Sequence, residues 1–485
     1  MRGILFFGMG FFLVFLNLPV QAQDSLPQDS LQNLAANTPN NPEKVRLLNT
    51  LADLALNQDQ DPEAAEKYAL EAQKIAQKQN YREGEALALQ LLGQVYLDKA
   101  RYQTAEAHWR RALSLYRQYH ASQATAYTLS GLALAKYYQS HYAPALQDLH
   151  EAEELFVQLN DRDGLIEVKS RQGICHYAQA NYAEALKAQL KALEISEKQA
   201  DQYNTLQALL NIGNVYKQLE ENDKARLYFE KARELARNTQ DDWSEAGALT
   251  NLGTVLEDEG NFGKAIEAYQ QARKIFQGLQ NAQAEAVVGN NLGNAYRQLG
   301  KYELALTELR KSLKIKEKLG DQRGLASTFI AMGWVFLDQE DYEQALVYFR
   351  KALQMATKIR VGDLQTEALL MMSRAFAGQE NYRSAYEYHQ KYVQFKDSLA
   401  LNSSELAEVI GRADALKREQ KLKIGALEKA LQKARQARQS YQYAFWASAA
   451  LLGLLLLYLL GRWYNQKRNL SLQKKTSSPS ATIES

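Results

Sequence analysis

Cysteine, proline and net charge are scarce in this chain. Of its 485 residues one is cysteine (Cys175) and seven are proline, and the formal net charge is only +2. A single cysteine excludes an intrachain disulfide. So few prolines favour long uninterrupted helices over loops and sheets. A nearly balanced charge provides no basic field for nucleic acid, so no nucleic-acid partner is expected.

Patterns typical of catalysis are missing as well. The six histidines form no metal-binding spacing with each other or with cysteine, and no glycine-rich phosphate loop follows a strand. Cys175 occupies a helix position that the other repeats, described below, fill with valine or alanine, which indicates a core residue. We therefore expect no enzyme, no metal site and no cofactor.

Both ends of the chain carry apolar stretches. Residues 1–22 combine Arg2, an apolar run and Val20-Gln21-Ala22 as a cleavage site, which predicts a signal peptide. Residues 439–461 contain no charge and have tyrosine and tryptophan at both ends, which predicts a transmembrane helix. Lysine and arginine are balanced around that segment, so the signal peptide decides the orientation. The prediction is a single-pass protein of a bacterial inner membrane, with the middle region in the periplasm and residues 462–485 as a short cytoplasmic tail.

A forty-residue repeat without insertions fills the middle region. Alanine recurs at every fortieth position, with glycine or another small residue usually twelve positions earlier. The alanine column is Ala65, Ala105, Ala145, Ala185, Ala225, Ala265, Ala305, Ala345 and Ala385. This pattern predicts two antiparallel helices per repeat, A and B, whose small residues allow close packing. No single repeat can bury its apolar face alone, so the array shares one continuous core.

Two stretches, NIGNVYKQLEENDKAR at 211–226 and NLGNAYRQLGKYELAL at 291–306, resemble the tetratricopeptide repeat. The resemblance covers about residues 45–395, and the forty-residue period is similar to its long-helix subclass. It implies an all-α superhelix of about nine helix pairs. With the features near the C-terminus, the array resembles the sensor half of bacterial membrane histidine kinases that contain this repeat. The kinase itself is absent, because no histidine follows His389.

Three further segments complete the predicted organisation. Residues 23–44 are polar and form a linker, and residues 45–395 form the repeat array. Residues 396–438 carry apolar residues at alternating three- and four-residue steps, which predicts a coiled-coil stalk and a homodimer through it. A single solvated helix is the alternative.

Polar residues also recur on one face of helix A. In the family's long-helix members such positions hold an extended peptide on the concave side, so the resemblance implies a peptide-binding face. Its candidate residues are Arg171, Asn211, Asn214, Lys217, Asn251, Thr254, Asn291, Asn294 and Arg297. An amide side chain both donates and accepts hydrogen bonds, so such a series suits a peptide backbone. Alternatively, the asparagines bond neighbouring helices.

These features suggest three functions. The first is a non-enzymatic, membrane-anchored scaffold that binds a protein or peptide of the cell envelope on its concave face. The second is a split signalling receptor that couples periplasmic ligand binding to a separate cytoplasmic output protein. The third is a cytosolic tail-anchored adaptor, which requires the N-terminal signal to fail.

Overall fold

The structure, a computed structural model, describes residues 28–57 and 61–401 together with the single helical residues 425, 429, 432 and 433. The chain divides into two units, residues 1–417 and 418–485, and the architecture below belongs to the first. The described part is entirely helical, as predicted. Its helices are α1 (Gln28–Asn37), α2 (Pro42–Asn57), α3 (Pro62–Lys78), α4 (Arg82–Asp98), α5 (Tyr102–Gln118), α6 (Ser122–Tyr138), α7 (Tyr142–Leu159), α8 (Arg162–Ala178), α9 (Tyr182–Gln199), α10 (Gln202–Gln218), α11 (Asn222–Asn238), α12 (Asp242–Asp258), α13 (Phe262–Gly278), α14 (Ala282–Gln298), α15 (Tyr302–Leu319), α16 (Gln322–Asp338), α17 (Tyr342–Lys358), α18 (Gly362–Gly378) and α19 (Tyr382–Leu401).

The chain reverses direction every twenty residues. From Asn80 to Glu380, every twentieth residue has a positive φ and ends a helix in the left-handed conformation. At one such turn the backbone N–H of Lys301 donates to the carbonyl of Tyr296, and that of Gly300 donates to the carbonyl of Arg297, both at 2.9 Å. These are the bonds of a Schellman motif. Because each turn is so short, consecutive helices pack antiparallel, and the predicted helix pairs are confirmed.

Aspartate or asparagine caps many of the A helices. The Asp201 carboxylate accepts a bond from the backbone N–H of Asn204 at 3.0 Å, and the Asn281 side chain accepts one from Ala284 at 2.8 Å. Asp161, Asp241 and Asp321 act in the same way in their repeats. Such caps satisfy backbone donors that a helix start leaves unpaired. They fix the first residue of helix A at the same place in each of these repeats.

The small-residue column of helix A makes room for one bulky side chain of helix B. A Cβ atom added to Gly293 would lie 2.5 Å from Cγ of Leu309 and 3.3 Å from the carbonyl oxygen of Ala305. Gly253 meets Tyr269 in the same way. The alanine of helix B four residues before the bulky side chain is fully buried, as Ala305 shows. The glycine therefore leaves room for a bulky side chain of helix B and also lets the two helices approach closely.

The even-numbered helices form the inner side of the array. Each helix contacts the next, and from α2 to α18 successive even-numbered helices also contact one another. Among the described residues, successive odd-numbered helices make no comparable contact. The stack therefore curves with helices A on its concave face and helices B on its convex face.

The predicted linker and array boundary take a different form in the structure. Residues 28–37 of that linker form α1, whose Leu31 and Ala35 are buried. At the other end α19 continues to Leu401 without the turn that the twenty-residue spacing would place at residue 400. Helical packing thus begins earlier than the array predicted from the sequence, and the last described helix extends beyond it.

The predicted location, a single-pass protein of the inner membrane with the array in the periplasm, is wrong. Within residues 28–57 and 61–401, no helix is both long enough and apolar enough to cross a membrane. These helices are amphipathic, and a spanning helix needs about 20 mostly apolar residues. The predicted signal peptide (1–22), transmembrane helix (439–461) and tail (462–485) lie outside the described residues, as does nearly all of the stalk predicted at 396–438. The predicted homodimer through that stalk gains no support.

The glycine column yields a test with a matched control. Gly293→Ala should lower the free energy of unfolding by about 1–3 kcal/mol, because the new methyl group overlaps Leu309. Gly247 lies inside α12 with open space around its Cα, so Gly247→Ala should raise stability by about 0.5–1 kcal/mol through its better helix propensity. Urea unfolding of the full chain measures both. Equal effects of the two substitutions would contradict this account of the column.

Candidate functional site

Five asparagines line the middle of the concave face at equivalent positions of three A helices. They are Asn211 and Asn214 on α10, Asn251 on α12, and Asn291 and Asn294 on α14, and all are half-buried. We call these five residues the asparagine ladder. None of their side chains makes a hydrogen bond to the described protein, and the buried Nδ2 of Asn211 has no partner there. The ladder therefore contains amide groups that the fold does not use.

Other asparagines near the A helices behave differently. Asn290, adjacent to the ladder, accepts a bond from the Thr328 hydroxyl at 2.9 Å. The buried Asn49 donates to the carbonyl of Gly84 at 3.1 Å and so links two A helices. Asn290 and Asn49 thus bond neighbouring helices, which is the alternative role that the sequence left open for the ladder. Both residues make a bond between A helices, although the buried Oδ1 of Asn49 has no partner in the described protein.

The two predicted cations of the concave face are engaged within the fold. Arg297 forms an ion pair with Asp338 on α16 at 2.6 Å, and Lys217 pairs with Asp258 on α12 at 3.4 Å. Each bond joins helix A to the next helix A across 41 residues of sequence. The Arg297 guanidinium also lies 5.3 Å from the ring centre of Trp334. Both cations thus stabilise the contact between repeats, and a ligand role for them stays a prediction.

The remaining predicted residues are also tied to the protein. The Thr254 hydroxyl donates to the backbone carbonyl of Asn251 at 2.8 Å. Arg171 is only 1% exposed; it donates to the Ser130 hydroxyl at 2.8 Å and pairs with Glu167 at 3.0 Å. Burial lowers the pKa of Arg171 from its usual value. Arg171 therefore joins α8 to α6 inside the array.

A carboxyl group lies between the two cations. Glu257 on α12 accepts a bond from the Tyr269 hydroxyl at 2.5 Å. Burial raises the pKa of Glu257, while Lys217 and Arg297 oppose that rise through their charge. The middle of the concave face thus contains paired charges beside neutral amides. Among the residues that the structure describes, no group of three metal-ligating side chains occurs.

Aromatic side chains flank the ladder at both ends. On the N-terminal side Tyr137 lies 5.4 Å from Tyr138, and Tyr177 occupies the matching position of α8. On the C-terminal side Trp334 is flanked by Arg297 and by the exposed Arg374, whose guanidinium lies 5.9 Å from the ring centre. Sequence reasoning missed the tyrosines. Aligning every fortieth residue would have found them, since Tyr137 and Tyr177 share the column of Lys217.

Two family comparisons identify the repeat. A tetratricopeptide-repeat family matches residues 165–238, 244–318 and 284–358, and a second tetratricopeptide-repeat family matches residues 86–119. The chain is a tetratricopeptide-repeat protein. The finer resemblance to the sensor half of membrane histidine kinases is not confirmed. No curated protein matches the sequence.

Several solved structures share the fold. The apo quorum sensor NprR from B. thuringiensis has a TM-score of 0.54 at 13% identity, over 73% of this chain and 99% of that one. A Rap protein complexed with competence and sporulation factor has a TM-score of 0.53 at 16% identity, over 74% and 99%. A signal-transduction ATPase with a tetratricopeptide-repeat sensor from Pyrococcus horikoshii has 0.54 at 16%, over 72% of this chain and 53% of that one. These similarities establish the fold alone.

The ladder and its neighbouring ion pairs should respond differently to truncation. The triple variant Asn251→Ala, Asn291→Ala, Asn294→Ala should change the free energy of unfolding by less than about 0.5 kcal/mol, because no bond within the protein is lost. Arg297→Ala should cost about 1 kcal/mol or more, because it leaves the partly buried Asp338 without its partner. Urea unfolding measures both. A triple variant as destabilised as Arg297→Ala would make the ladder structural.

Proposed function

We propose that this protein is a non-enzymatic binding protein whose concave face holds an extended segment of a peptide or protein partner. The observation that carries the proposal is the asparagine ladder, whose five half-buried amide side chains make no hydrogen bond to the described protein. A half-buried polar group without a partner in the fold is stabilised by water or by a ligand. Groups of one kind, repeated on three successive A helices, favour a ligand that is itself repetitive.

A peptide backbone has the matching chemistry. Each residue offers one N–H donor and one C=O acceptor, and an asparagine side chain can pair with both. A net hydrogen bond of this kind contributes roughly 0.5–1.5 kcal/mol. Five such side chains together can offset part of the cost of ordering a flexible segment. The ladder would therefore hold a backbone without reading its sequence.

Selectivity would come from the side chains that flank the ladder. Tyr137 and Tyr177 on one side offer aromatic surfaces, and Trp334 with Arg374 offers an aromatic ring and a cation on the other. The solved structures similar to this chain include one described as a quorum sensor and one described in complex with competence and sporulation factor. These descriptions support the use of such an array to hold a ligand.

An array of immobilised random ten-residue peptides tests the proposal with the full chain as the soluble probe. The wild-type protein should bind a subset of peptides, and the triple variant Asn211→Ala, Asn251→Ala, Asn291→Ala should bind them at least about tenfold more weakly. The control variant removes three exposed amides from the odd-numbered helices by Gln158→Ala, Asn238→Ala and Gln354→Ala, and it should bind as the wild type does. No bound peptide, or equal loss in both variants, would contradict the proposal.

A further inference from the structure

A cleft lies on the convex side of the array, away from the asparagine ladder. It has a volume of about 560 Å³, with α5 and α7 as its walls and α6 as its floor. The α5 wall contributes Arg110 and Arg117, and the α7 wall contributes Asp148 and Glu151. The floor contributes Leu129, Leu132 and Lys136. The cleft therefore combines a basic wall with an acidic wall, over a floor whose leucines are almost fully buried.

The repeat itself explains why this cleft has charged groups at its base. In four other repeats the position of Lys136 and the position twelve residues later hold stacked rings. These are Tyr96–His108, Tyr216–Tyr228, Phe336–Tyr348 and Phe376–Tyr388, with ring centres 5.1–5.4 Å apart. Here an ion pair of 2.5 Å between Lys136 and Asp148 takes their place. Both side chains of that pair are at most 15% exposed. This repeat therefore has buried charged groups where those four repeats have aromatic rings.

The ion pair at the mouth of the cleft can open at little cost. Arg117 and Glu151 pair at 2.5 Å across the two walls, and each side chain is about half exposed. Arg110 is 61% exposed and pairs with Glu106 of its own helix at 2.6 Å. Exposed pairs of this kind stabilise a fold by little, typically under about 1 kcal/mol. A ligand that supplies both charges can replace the Arg117–Glu151 bond without leaving either group unpaired.

We propose that this convex cleft binds a short zwitterionic peptide of about dipeptide size. Its carboxylate would face Arg110 and Arg117, and its ammonium group would face Glu151 and the Asp148 carboxylate that pairs with Lys136. The cleft is large enough for a molecule of that size, with a volume of about 560 Å³. The acidic wall would repel a ligand with only a negative charge, and the basic wall would repel a ligand with only a positive charge. A ligand with both charges therefore complements the cleft best.

Calorimetric titration of the full chain with leucyl-leucine tests this site. N-acetyl-leucyl-leucine lacks the ammonium group and leucyl-leucine amide lacks the carboxylate, so each should bind at least about tenfold more weakly. Arg117→Gln and Glu151→Gln should each weaken leucyl-leucine to a similar degree. Arg237 occupies the position of Arg117 on α11, three repeats later, and is also exposed and paired. Arg237→Gln is therefore the matched control and should leave binding unchanged.

A filled cleft provides the second arm of the test. The double variant Lys136→Tyr, Asp148→Tyr recreates the stacked pair Tyr216–Tyr228. It should unfold at the same or a higher urea concentration than the wild type and should lose leucyl-leucine binding. The proposal is overturned if leucyl-leucine does not bind, if the singly charged analogues bind equally well, or if a folded double variant still binds. If the double variant does not fold, the comparison of leucyl-leucine affinity between Arg117→Gln and Arg237→Gln decides, and equal affinities would overturn the proposal.

Discussion

The contact between a glycine of helix A and a bulky side chain of helix B is the constraint on which the array depends. Gly293 against Leu309 and Gly253 against Tyr269 fix how far helix A can slide along helix B. A shift of one residue would place a Cβ atom where the glycine now leaves room. Since protein interiors are close-packed, such an overlap must move a helix. The register within each pair is therefore set by a few small residues.

The constant register also determines which side chains form the concave face. A turn after every twenty residues and the absence of insertions return residues 211, 251 and 291 to equivalent places on successive inner helices. Side chains that are forty residues apart in sequence then form one surface. The ion pair of Arg297 with Asp338 crosses the same interface and holds neighbouring inner helices together. The asparagines beside it make no such bond, which leaves them available for the proposed binding.

The sequence predicted the fold well, and it predicted the positions of the candidate residues but not their partners within the fold. Small residues that recur every forty positions, such as Gly293 and Ala305, sufficed to predict the helix pairs, because small residues in register leave few other ways to pack. The roles of Lys217 and Arg297 could not be read from the repeat, since their partners lie 41 residues away and depend on how successive A helices are offset. The burial of Arg171 likewise depends on Ser130 from another repeat. The predicted membrane location failed within the described helices, which are amphipathic.

Exchange of side-chain amide protons with solvent tests the central claim most directly, because the claim is that the fold leaves the ladder amides unbonded. Nuclear magnetic resonance of the full chain labelled at asparagine, with signals assigned by single substitutions, measures it. The Nδ2 protons of Asn214, Asn251 and Asn291 should exchange at least about tenfold faster than those of Asn49, which donates to the Gly84 carbonyl at 3.1 Å. Ladder protons protected as strongly as those of Asn49 would show that the fold already uses these amides.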